Sequence, residues 1–186
     1  MAEPAERIDP VSLEEFQAMH FGDRRAELID GVIVVAQAFP TARHADITGG
    51  VLVALANAIR ARRLPCRAQS GAGLPVRLDR DFVLGPDVLV HCGGTRERPG
   101  DPVMAVEVLS PSNRATELMR KLHAYQSVPS LTDILLVEQD AYRVEHWTRT
   151  ERGGWTLADP LSGPDAVLSL PRLGGEWRLE ELYGDA

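Results

Sequence analysis

An apolar run in the second half of the chain reads Val103-Met104-Ala105-Val106-Glu107-Val108-Leu109 and contains one acid. Apolar side chains fill every position except Glu107, and a run of this length and composition is typical of a β-strand. Because side chains alternate between the two faces of a strand, Glu107 shares its face with Val103, Ala105 and Leu109. A carboxylate on such a face costs free energy unless it is paired or binds a metal. We therefore interpret Glu107 as functional; the alternative is an edge position or the solvent face of a half-buried sheet.

A second acid, Asp87, lies upstream at the start of another apolar strand, Pro86-Asp87-Val88-Leu89-Val90. Two adjacent strands would bring Asp87 and Glu107 together. Carboxylate oxygens are hard ligands, which suit Mg²⁺ or Mn²⁺. Taken alone, Pro-Asp is also typical of a plain turn.

The downstream residue Lys121 is the only lysine of the chain, and the other 19 of its 20 basic residues are arginines. Arginine stays protonated and planar, whereas lysine is a compact charge whose pKa shifts readily. The lone lysine is therefore a candidate for chemistry that arginine does not perform. The alternatives are chance and an i,i+4 surface pair with Glu117.

The pattern of apolar residues and turn signals predicts mixed secondary structure. Ser12 and Glu15 form a capping-box pattern for a helix that ends near Gly22. Asp30-Gly31 between two apolar runs predicts a hairpin with strands near 25–29 and 32–37. The next predicted elements are a helix over 42–63, strands near 66–70, 74–78, 86–91 and 103–109, and a polar loop over 92–101. Pro111 and Asn113 start a predicted helix that runs to about Ser127. Strands near 132–138, 142–149 and 155–158 and an apolar stretch near 166–170 follow.

This order predicts an α+β (α/β) fold with a central mixed β-sheet flanked by helices. The 186 residues suit one domain, 1–186, with a flexible N-terminus over 1–11 and a peripheral C-terminal segment over 159–186. No apolar run has the length that a bilayer span needs, and the N-terminus lacks the pattern of a signal peptide, so we expect a cytoplasmic protein without membrane contact. The two cysteines, Cys66 and Cys92, fit no zinc pattern and are expected to be free thiols.

The net charge of −7 is unfavourable for binding a nucleic acid, whose phosphates attract Lys and Arg. The charge is uneven, however, because seven arginines and only two acids lie between Arg43 and Arg80. The simple interpretation of these arginines is a solvated helix end.

The acids and the lysine resemble the core of the PD-(D/E)xK nuclease superfamily, and the chain more narrowly resembles the bacterial Uma-two (Uma2) family of restriction-endonuclease-like proteins. The resemblance runs from about residue 12 to 158. The matching segments are Glu27-Leu28-Ile29-Asp30-Gly31, His44, Pro86-Asp87-Val88, Val106-Glu107-Val108-Leu109-Ser110-Pro111-Ser112, Lys121 with Tyr125, Val128-Pro129-Ser130-Leu131, and Leu136-Val137-Glu138-Gln139-Asp140. The chain departs from the plain superfamily motif at one position. The motif has a lysine two residues after the second acid, and Leu109 stands there in this chain. In the Uma-two family this lysine is displaced to the following helix, which Lys121 matches.

This resemblance implies a Mg²⁺-dependent endonuclease that acts on DNA, with Mn²⁺ as a substitute and with a homodimer as the working form. Asp87 and Glu107 would hold the metal with the Val108 carbonyl, and Lys121 would orient the attacking water or stabilise the developing charge. Glu27 would complete the acidic cluster; its alternative is an acid on a strand edge. His44, Ser110 and Ser112 are weaker candidates for substrate contacts, and Tyr125 is expected in the core.

Three other functions stay open at this point. One is a catalytically weak nucleic-acid-binding or regulatory module on the same fold, which the acidic net charge favours. A metal-dependent enzyme with another substrate would bind metal without binding DNA. A structural protein with an incidental buried acid would lose only stability when Glu107 is replaced.

Overall fold

The computed structural model describes residues 10–22, 26–35, 40–77, 81–95, 98–110 and 115–184. The helices in these ranges are α1 Leu13–Ala18, α2 Ala42–Ala61, α3 Ala115–Ser127 and α4 Leu179–Tyr183. The strands are β1 Ala26–Ile29, β2 Val32–Val35, β3 Cys66–Ser70, β4 Leu74–Arg77, β5 Asp81–Leu84, β6 Val88–Gly94, β7 Pro99–Leu109, β8 Asp133–Glu138, β9 Arg143–Arg149, β10 Trp155–Leu157, β11 Leu161–Ser162, β12 Val167–Leu170 and β13 Gly175–Arg178.

A large mixed sheet forms the centre of the fold, with the strand order β10-β9-β8-β7-β6-β3 and with β11 paired to β9. Strands β7 and β8 are parallel, joined by the crossover through α3, and their neighbours pair antiparallel. A smaller sheet has the order β2-β1-β5-β4, and β12 and β13 form a separate hairpin. The predicted α+β fold with a central mixed sheet is therefore confirmed.

The large sheet is covered on both faces, which explains why its central strands are almost entirely apolar. On one face, α2 and α4 pack over Val88, Val106 and Leu135. On the other face, α3 and the smaller sheet pack over Leu89 and Ala105. Helix α1 closes a third, smaller cluster against the β1–β5 pair.

Helix α2 follows directly from its sequence. Ile47, Val51, Leu55 and Ile59 recur every four residues and are all buried, so they form one apolar stripe against the sheet. The helix begins at the Thr41 cap. On α2, Gly50 permits the close approach of α4, because a Cβ at this position would lie 2.3 Å from the Leu182 carbonyl oxygen.

The predicted hairpin is also present. Ile29 pairs with Val32, so Asp30 and Gly31 form a two-residue turn, and both have positive φ, at 53° and 75°. Such a turn matches the right-handed twist of the flanking strands. The Ser12–Glu15 capping box is formed as well, although its helix ends at Ala18 rather than near Gly22.

Several predicted boundaries are wrong. Strand β5 was not predicted, because Asp81 and the following turn residues obscure its short apolar run. The predicted polar loop over 92–101 is instead the end of a hairpin, since β6 continues to Gly94 and β7 begins at Pro99. Tertiary pairing thus overrides the low strand propensity of glycine and proline.

The C-terminal segment, expected at the periphery, contributes to the main core. Leu168, Leu170, Leu173, Leu179 and Leu182 are buried in the cluster under α2. The expectation for residues 1–11 falls largely outside the described residues, which begin at Pro10.

The prediction of free thiols is contradicted. Strands β3 and β6 pair so that Cys66 lies directly opposite Cys92, and the two form a disulfide across 26 positions of sequence. The sequence separation alone gave no sign of this antiparallel register. Among the described residues, no helix has the length and apolar character to cross a membrane.

Candidate active site

Asp87 and Glu107 lie side by side where β6 begins and β7 ends. Strands β6 and β7 pair antiparallel with Val88 opposite Val106, and the Asp87 N–H donates to the Val106 carbonyl oxygen at 2.9 Å. The Val108 N–H in turn donates to Asp87 Oδ2 at 2.8 Å. Both acids are 7% exposed, so the strand register alone brings two buried carboxylates to one end of the sheet.

Helix α3 adds a cation and a hydroxyl to these acids. Lys121 and Tyr125 are four residues apart and therefore share a helix face. The Lys121 Nζ lies 3.5 Å from Glu107 Oε1, and the Tyr125 hydroxyl donates to the same oxygen at 2.5 Å. Lys121 is thus directed into the site, and it forms no ion pair with Glu117, the surface partner that the sequence left open.

The end of α3 is fixed by an arginine of β9. Arg149 donates to the carbonyl oxygens of Gln126 at 2.9 Å, Val128 at 2.7 Å and Leu131 at 2.6 Å. Its guanidinium also lies 4.6 Å from the centre of the Trp155 ring. The last carbonyls of a helix have no partner within the helix, and the bond to Gln126 satisfies one of them. The bonds to Val128 and Leu131 hold the segment that follows α3 against β9.

Glu27 enters from β1 in the smaller sheet. Its Oε1 accepts a hydrogen bond from the Gly85 N–H at 2.9 Å and lies 3.1 Å from Lys121 Nζ. The pairing of Leu28 with Val83 brings β1 against β5, whose chain continues through Gly85 to Asp87. The Lys121 ammonium is therefore held between two carboxylates from two different sheets.

His44 approaches from the first turn of α2. Its Nε2 lies 3.4 Å from Asp87 Oδ2, and its Nδ1 lies 3.4 Å from Thr48 Oγ1. The His44 side chain is 18% exposed. Although His44 was expected to touch substrate, the contact that the structure shows is with Asp87.

The electrostatics of the site are dominated by burial. The pKa of Glu107 is raised to about 6, and burial is the largest cause. The Lys121 charge and the Tyr125 hydrogen bond act to lower this pKa, whereas the charges of Asp87 and Glu27 act with burial to raise it. The site thus holds more negative charge than its single lysine compensates. A divalent cation would relieve this excess.

The donors of the site fit Mg²⁺. Within the described part of the chain, no group of three or more His, Cys, Asp or Glu side chains is arranged to hold a metal. Magnesium, however, is typically bound by one or two carboxylates and completes its shell with water and substrate phosphates. Asp87 and Glu107 supply the carboxylates. Since the N–H and C=O of one strand residue point to the same side, the Val108 carbonyl faces the Asp87 side and offers another oxygen.

The structure therefore brings together Asp87, Glu107, Lys121 and Glu27, which the sequence proposed as one site. Ser110 follows β7 at its end and is half-buried. Ser112 lies outside the described residues. Tyr125 was expected in the core; it is fully buried, yet it also contacts Glu107. Its spacing of four residues from Lys121 was the signal for this second role.

Comparison with known families gives a match over most of the chain. Residues 13–180 match the profile of a family named Uma2, which is described as "Putative restriction endonuclease". This range includes every candidate residue of the site.

Individual relatives extend the comparison. Two uncharacterized proteins of the cyanobacterium Synechocystis match parts of the chain. The protein sll1609 is 35% identical over 68 residues, which are 37% of this chain and 38% of the relative. The protein slr1290 is 29% identical over 103 residues, 53% of either chain. The chain thus spans about half, or less, of the length of these curated relatives.

One solved structure is similar throughout. It is described as "a putative nuclease belonging to DUF820" from Anabaena variabilis, and it superposes with a TM-score of 0.74 over 94% of this chain and 98% of the other. At 18% sequence identity, this similarity establishes the fold alone.

Proposed function

Because the chain belongs to the Uma2 family, we propose that it is a metal-dependent endonuclease that hydrolyses phosphodiester bonds in DNA. The observation that supports this proposal best is the pair of buried carboxylates, Asp87 and Glu107, with the ammonium of Lys121 3.5 Å from Glu107. Burying two acids beside each other is costly, and metal binding is the function that most directly explains why the fold retains them.

Asp87 and Glu107 would hold the metal, with the Val108 carbonyl as a further ligand. The strand register fixes both acids before any ligand binds, and the Val108 N–H bond fixes the orientation of the Asp87 carboxylate. Such preorganisation lowers the cost of assembling the site during the reaction. When bound, Mg²⁺ supplies Lewis acidity and lowers the pKa of a coordinated water, and Mn²⁺ is the expected substitute.

Lys121 would orient the attacking water or donate to the phosphate oxygens as negative charge accumulates on them. Its ammonium is 13% exposed and restrained by Glu27 at 3.1 Å and Glu107 at 3.5 Å, so its direction is fixed by two strands. A compact ammonium fits between these two acids, whereas a planar guanidinium would need more room. Glu27 would thus act by positioning Lys121.

The substrate and the assembly belong to the same proposal. DNA is the expected partner, and a homodimer would place two sites on the two strands of a duplex. The chemistry of the site supports this substrate class, because its acids and its lysine are suited to phosphoryl transfer with a metal.

The experiment that tests the proposal is nicking of supercoiled plasmid in Mg²⁺ and in Mn²⁺. We would compare the wild type with Glu107→Gln, Lys121→Met and Lys121→Arg, and verify folding by circular dichroism. Glu107→Gln and Lys121→Met are each expected to reduce the rate by roughly 100-fold or more, because each removes a charge that acts in the transition state. Lys121→Met preserves the length of the side chain, and Lys121→Arg tests whether charge alone suffices.

Cleavage by the wild type that survives in Lys121→Met would overturn the role of the lysine. Absence of cleavage by a well-folded wild type on duplex, single-stranded and branched DNA would overturn the nuclease proposal. Salt-dependent DNA binding without cleavage would then indicate the binding or regulatory module that the net charge of −7 favours.

A further inference from the structure

The charges of the proposed catalytic site do not favour DNA binding. Glu27, Asp87 and Glu107 bring three carboxylates against the single ammonium of Lys121. Without a bound metal, this arrangement repels phosphate groups. Since affinity for nucleic acid is dominated by cations that contact phosphates, a nuclease with this site needs arginines or lysines elsewhere on its surface.

Such arginines lie at the other end of α2. His44 is in the first turn of this helix beside Asp87, whereas Arg60, Arg62 and Arg63 lie at its C-terminal end. With a rise of 1.5 Å per residue, Arg60 is about 24 Å from His44 along the helix axis. All three arginines are exposed. We call Arg60, Arg62 and Arg63 the arginine patch.

The patch is not neutralised by neighbouring acids. Within the described ranges, no carboxylate forms an ion pair with any of its three arginines. Arg62 packs against Gly174 in the turn between β12 and β13, where a Cβ would lie 2.0 Å from the Arg62 Nε. Arg67, two residues after Pro65, donates to the Thr95 carbonyl and extends the positive surface along β3. Asp101, opposite Cys92, and Glu176, two residues after Gly174, are acids of this region.

Arg63 also differs from its neighbours in backbone conformation. Its φ is 53°, so the residue that follows the α2 cap is in the left-handed conformation. Glycine adopts this conformation at helix ends without steric cost, and it is the usual residue there. An exposed arginine at such a position does not stabilise the helix end as glycine would.

We propose that the arginine patch binds the phosphate backbone of duplex DNA at a distance from the catalytic site. The choice of DNA rests on the proposed function, and the charge of the patch is complementary to it. For a duplex that lies along α2, the rise of 3.4 Å per base pair would place this contact about 7 base pairs from the phosphate at Asp87 and Glu107. The patch supplies attraction that the acidic site lacks.

The test measures binding and not cleavage. Fluorescence anisotropy with a labelled 30-base-pair duplex, in EDTA and between 50 and 200 mM NaCl, gives the affinity and its salt dependence. The variants are Arg63→Gly, the triple substitution Arg60→Gln, Arg62→Gln and Arg63→Gln, and the control Arg152→Gln. Arg152 is an exposed arginine of the β9–β10 turn at the opposite edge of the large sheet, and its loss changes the net charge as much as the loss of Arg63 does.

We expect Arg63→Gly to weaken binding roughly fivefold at 100 mM salt without lowering the melting temperature. The triple variant should lower the slope of log K against log [NaCl] by about 2 to 3, as the loss of three phosphate contacts requires. Arg152→Gln should bind as the wild type does.

Several results overturn the inference. Equal weakening by Arg152→Gln and Arg63→Gly would show an effect of net charge only. Unchanged binding by the triple variant would exclude the patch, and binding of anionic lipid vesicles in place of DNA would assign it to a membrane surface. The binding assay contains no metal, so its result stays valid even if the wild type fails to nick plasmid. If the patch variants bind DNA as the wild type does while the wild type cleaves plasmid, this inference is overturned and the proposed function is not.

Discussion

The Tyr125 hydroxyl donates a hydrogen bond to Glu107 Oε1, and both side chains are buried, at 0% and 7% exposure. The bond joins α3 to β7 across 18 positions of sequence. It also fixes one oxygen of the acid to which we assign the metal, and Lys121 approaches the same oxygen. Tyr125 is therefore a core residue that contacts the candidate site, and we predict that it positions Glu107.

Replacing Tyr125 by Phe should reduce both stability and function. The substitution removes one hydroxyl and keeps the volume of the ring, so the free energy of unfolding should fall by about 1 to 3 kcal/mol, since it leaves Glu107 with one fewer hydrogen bond. Mn²⁺ affinity and the nicking rate should fall roughly tenfold or more, because groups that orient a metal ligand have effects of this size. Calorimetric titration with Mn²⁺ measures the affinity, and plasmid nicking measures the rate.

The matched control is Tyr142→Phe, which deletes a hydroxyl from a tyrosine whose ring lies 4.9 Å from that of Tyr183. It should leave Mn²⁺ affinity unchanged. If Tyr125→Phe binds Mn²⁺ as tightly as this control does, the hydroxyl does not position Glu107.

His44 is predicted to orient Asp87. Its Nε2 lies 3.4 Å from Asp87 Oδ2 while Thr48 holds the other nitrogen, so the ring is placed by two contacts. Removing the ring in His44→Ala should weaken Mn²⁺ binding roughly 10- to 100-fold. His123→Ala is the control, because His123 lies on the exposed face of α3. If His44→Ala binds Mn²⁺ as tightly as the control does, His44 does not orient Asp87, and the earlier expectation of a substrate contact is favoured.

The disulfide should contribute measurably to stability. Cys66 and Cys92 close a loop of 26 positions, for which the loss of chain entropy in the unfolded state corresponds to about 3 kcal/mol. Cys66→Ala with Cys92→Ala should lower the free energy of unfolding in urea by that amount. Thiol titration of the denatured wild type, without reductant, should detect no free thiol. Detection of two thiols would restore the original expectation that both cysteines are free.

Tyr183 should make the protein sensitive to alkali. Its hydroxyl lies within 2.7 to 3.0 Å of three carbonyl oxygens, those of Glu138, Ala141 and Arg143, and burial raises the pKa of Tyr183 to about 12. An unfolded tyrosine titrates near pH 10. The folded state therefore holds the proton more tightly, and this stabilisation is complete below about pH 10 and is lost as the pH rises towards 12.

Urea unfolding at pH 8, 10 and 11.5 measures this effect in the wild type and in Tyr183→Phe. The phenylalanine variant should be less stable at pH 8, because the carbonyl oxygens lose a donor, and it should lose less stability between pH 10 and 11.5. Parallel losses in the two proteins would assign the alkaline sensitivity to other groups.

Much of the fold was readable from local patterns. The four-residue repeat of Ile47, Val51, Leu55 and Ile59 predicts α2, and Asp30-Gly31 predicts the hairpin, because each signal depends only on neighbours in sequence. Strand β5 and the ends of β6 and β7 were not readable, since pairing with distant strands stabilises residues of low strand propensity. The disulfide was missed for the same reason: it depends on the register of β3 against β6.

In the candidate site, too, some features could be predicted from local sequence and others depend on tertiary contacts. Glu107 was suggested by an acid in an apolar strand, and Lys121 by being the only lysine of the chain. Their roles remain predictions. That Tyr125 and Lys121 approach one oxygen of Glu107 depends on how α3 packs on the sheet, and the His44–Asp87 contact depends on where α2 begins over β6.

The sequence by itself determined the kinds of elements, their order and the residue types available for chemistry, because periodicity, turn residues and charge are local properties. The tertiary structure alone decided which side chains meet. Glu27, Asp87, Glu107 and Lys121 come from elements separated by up to 94 positions, and their contacts follow from strand register and helix packing. The physical reason is that burial, and with it the raised pKa of Glu107, arises only when distant elements exclude water together.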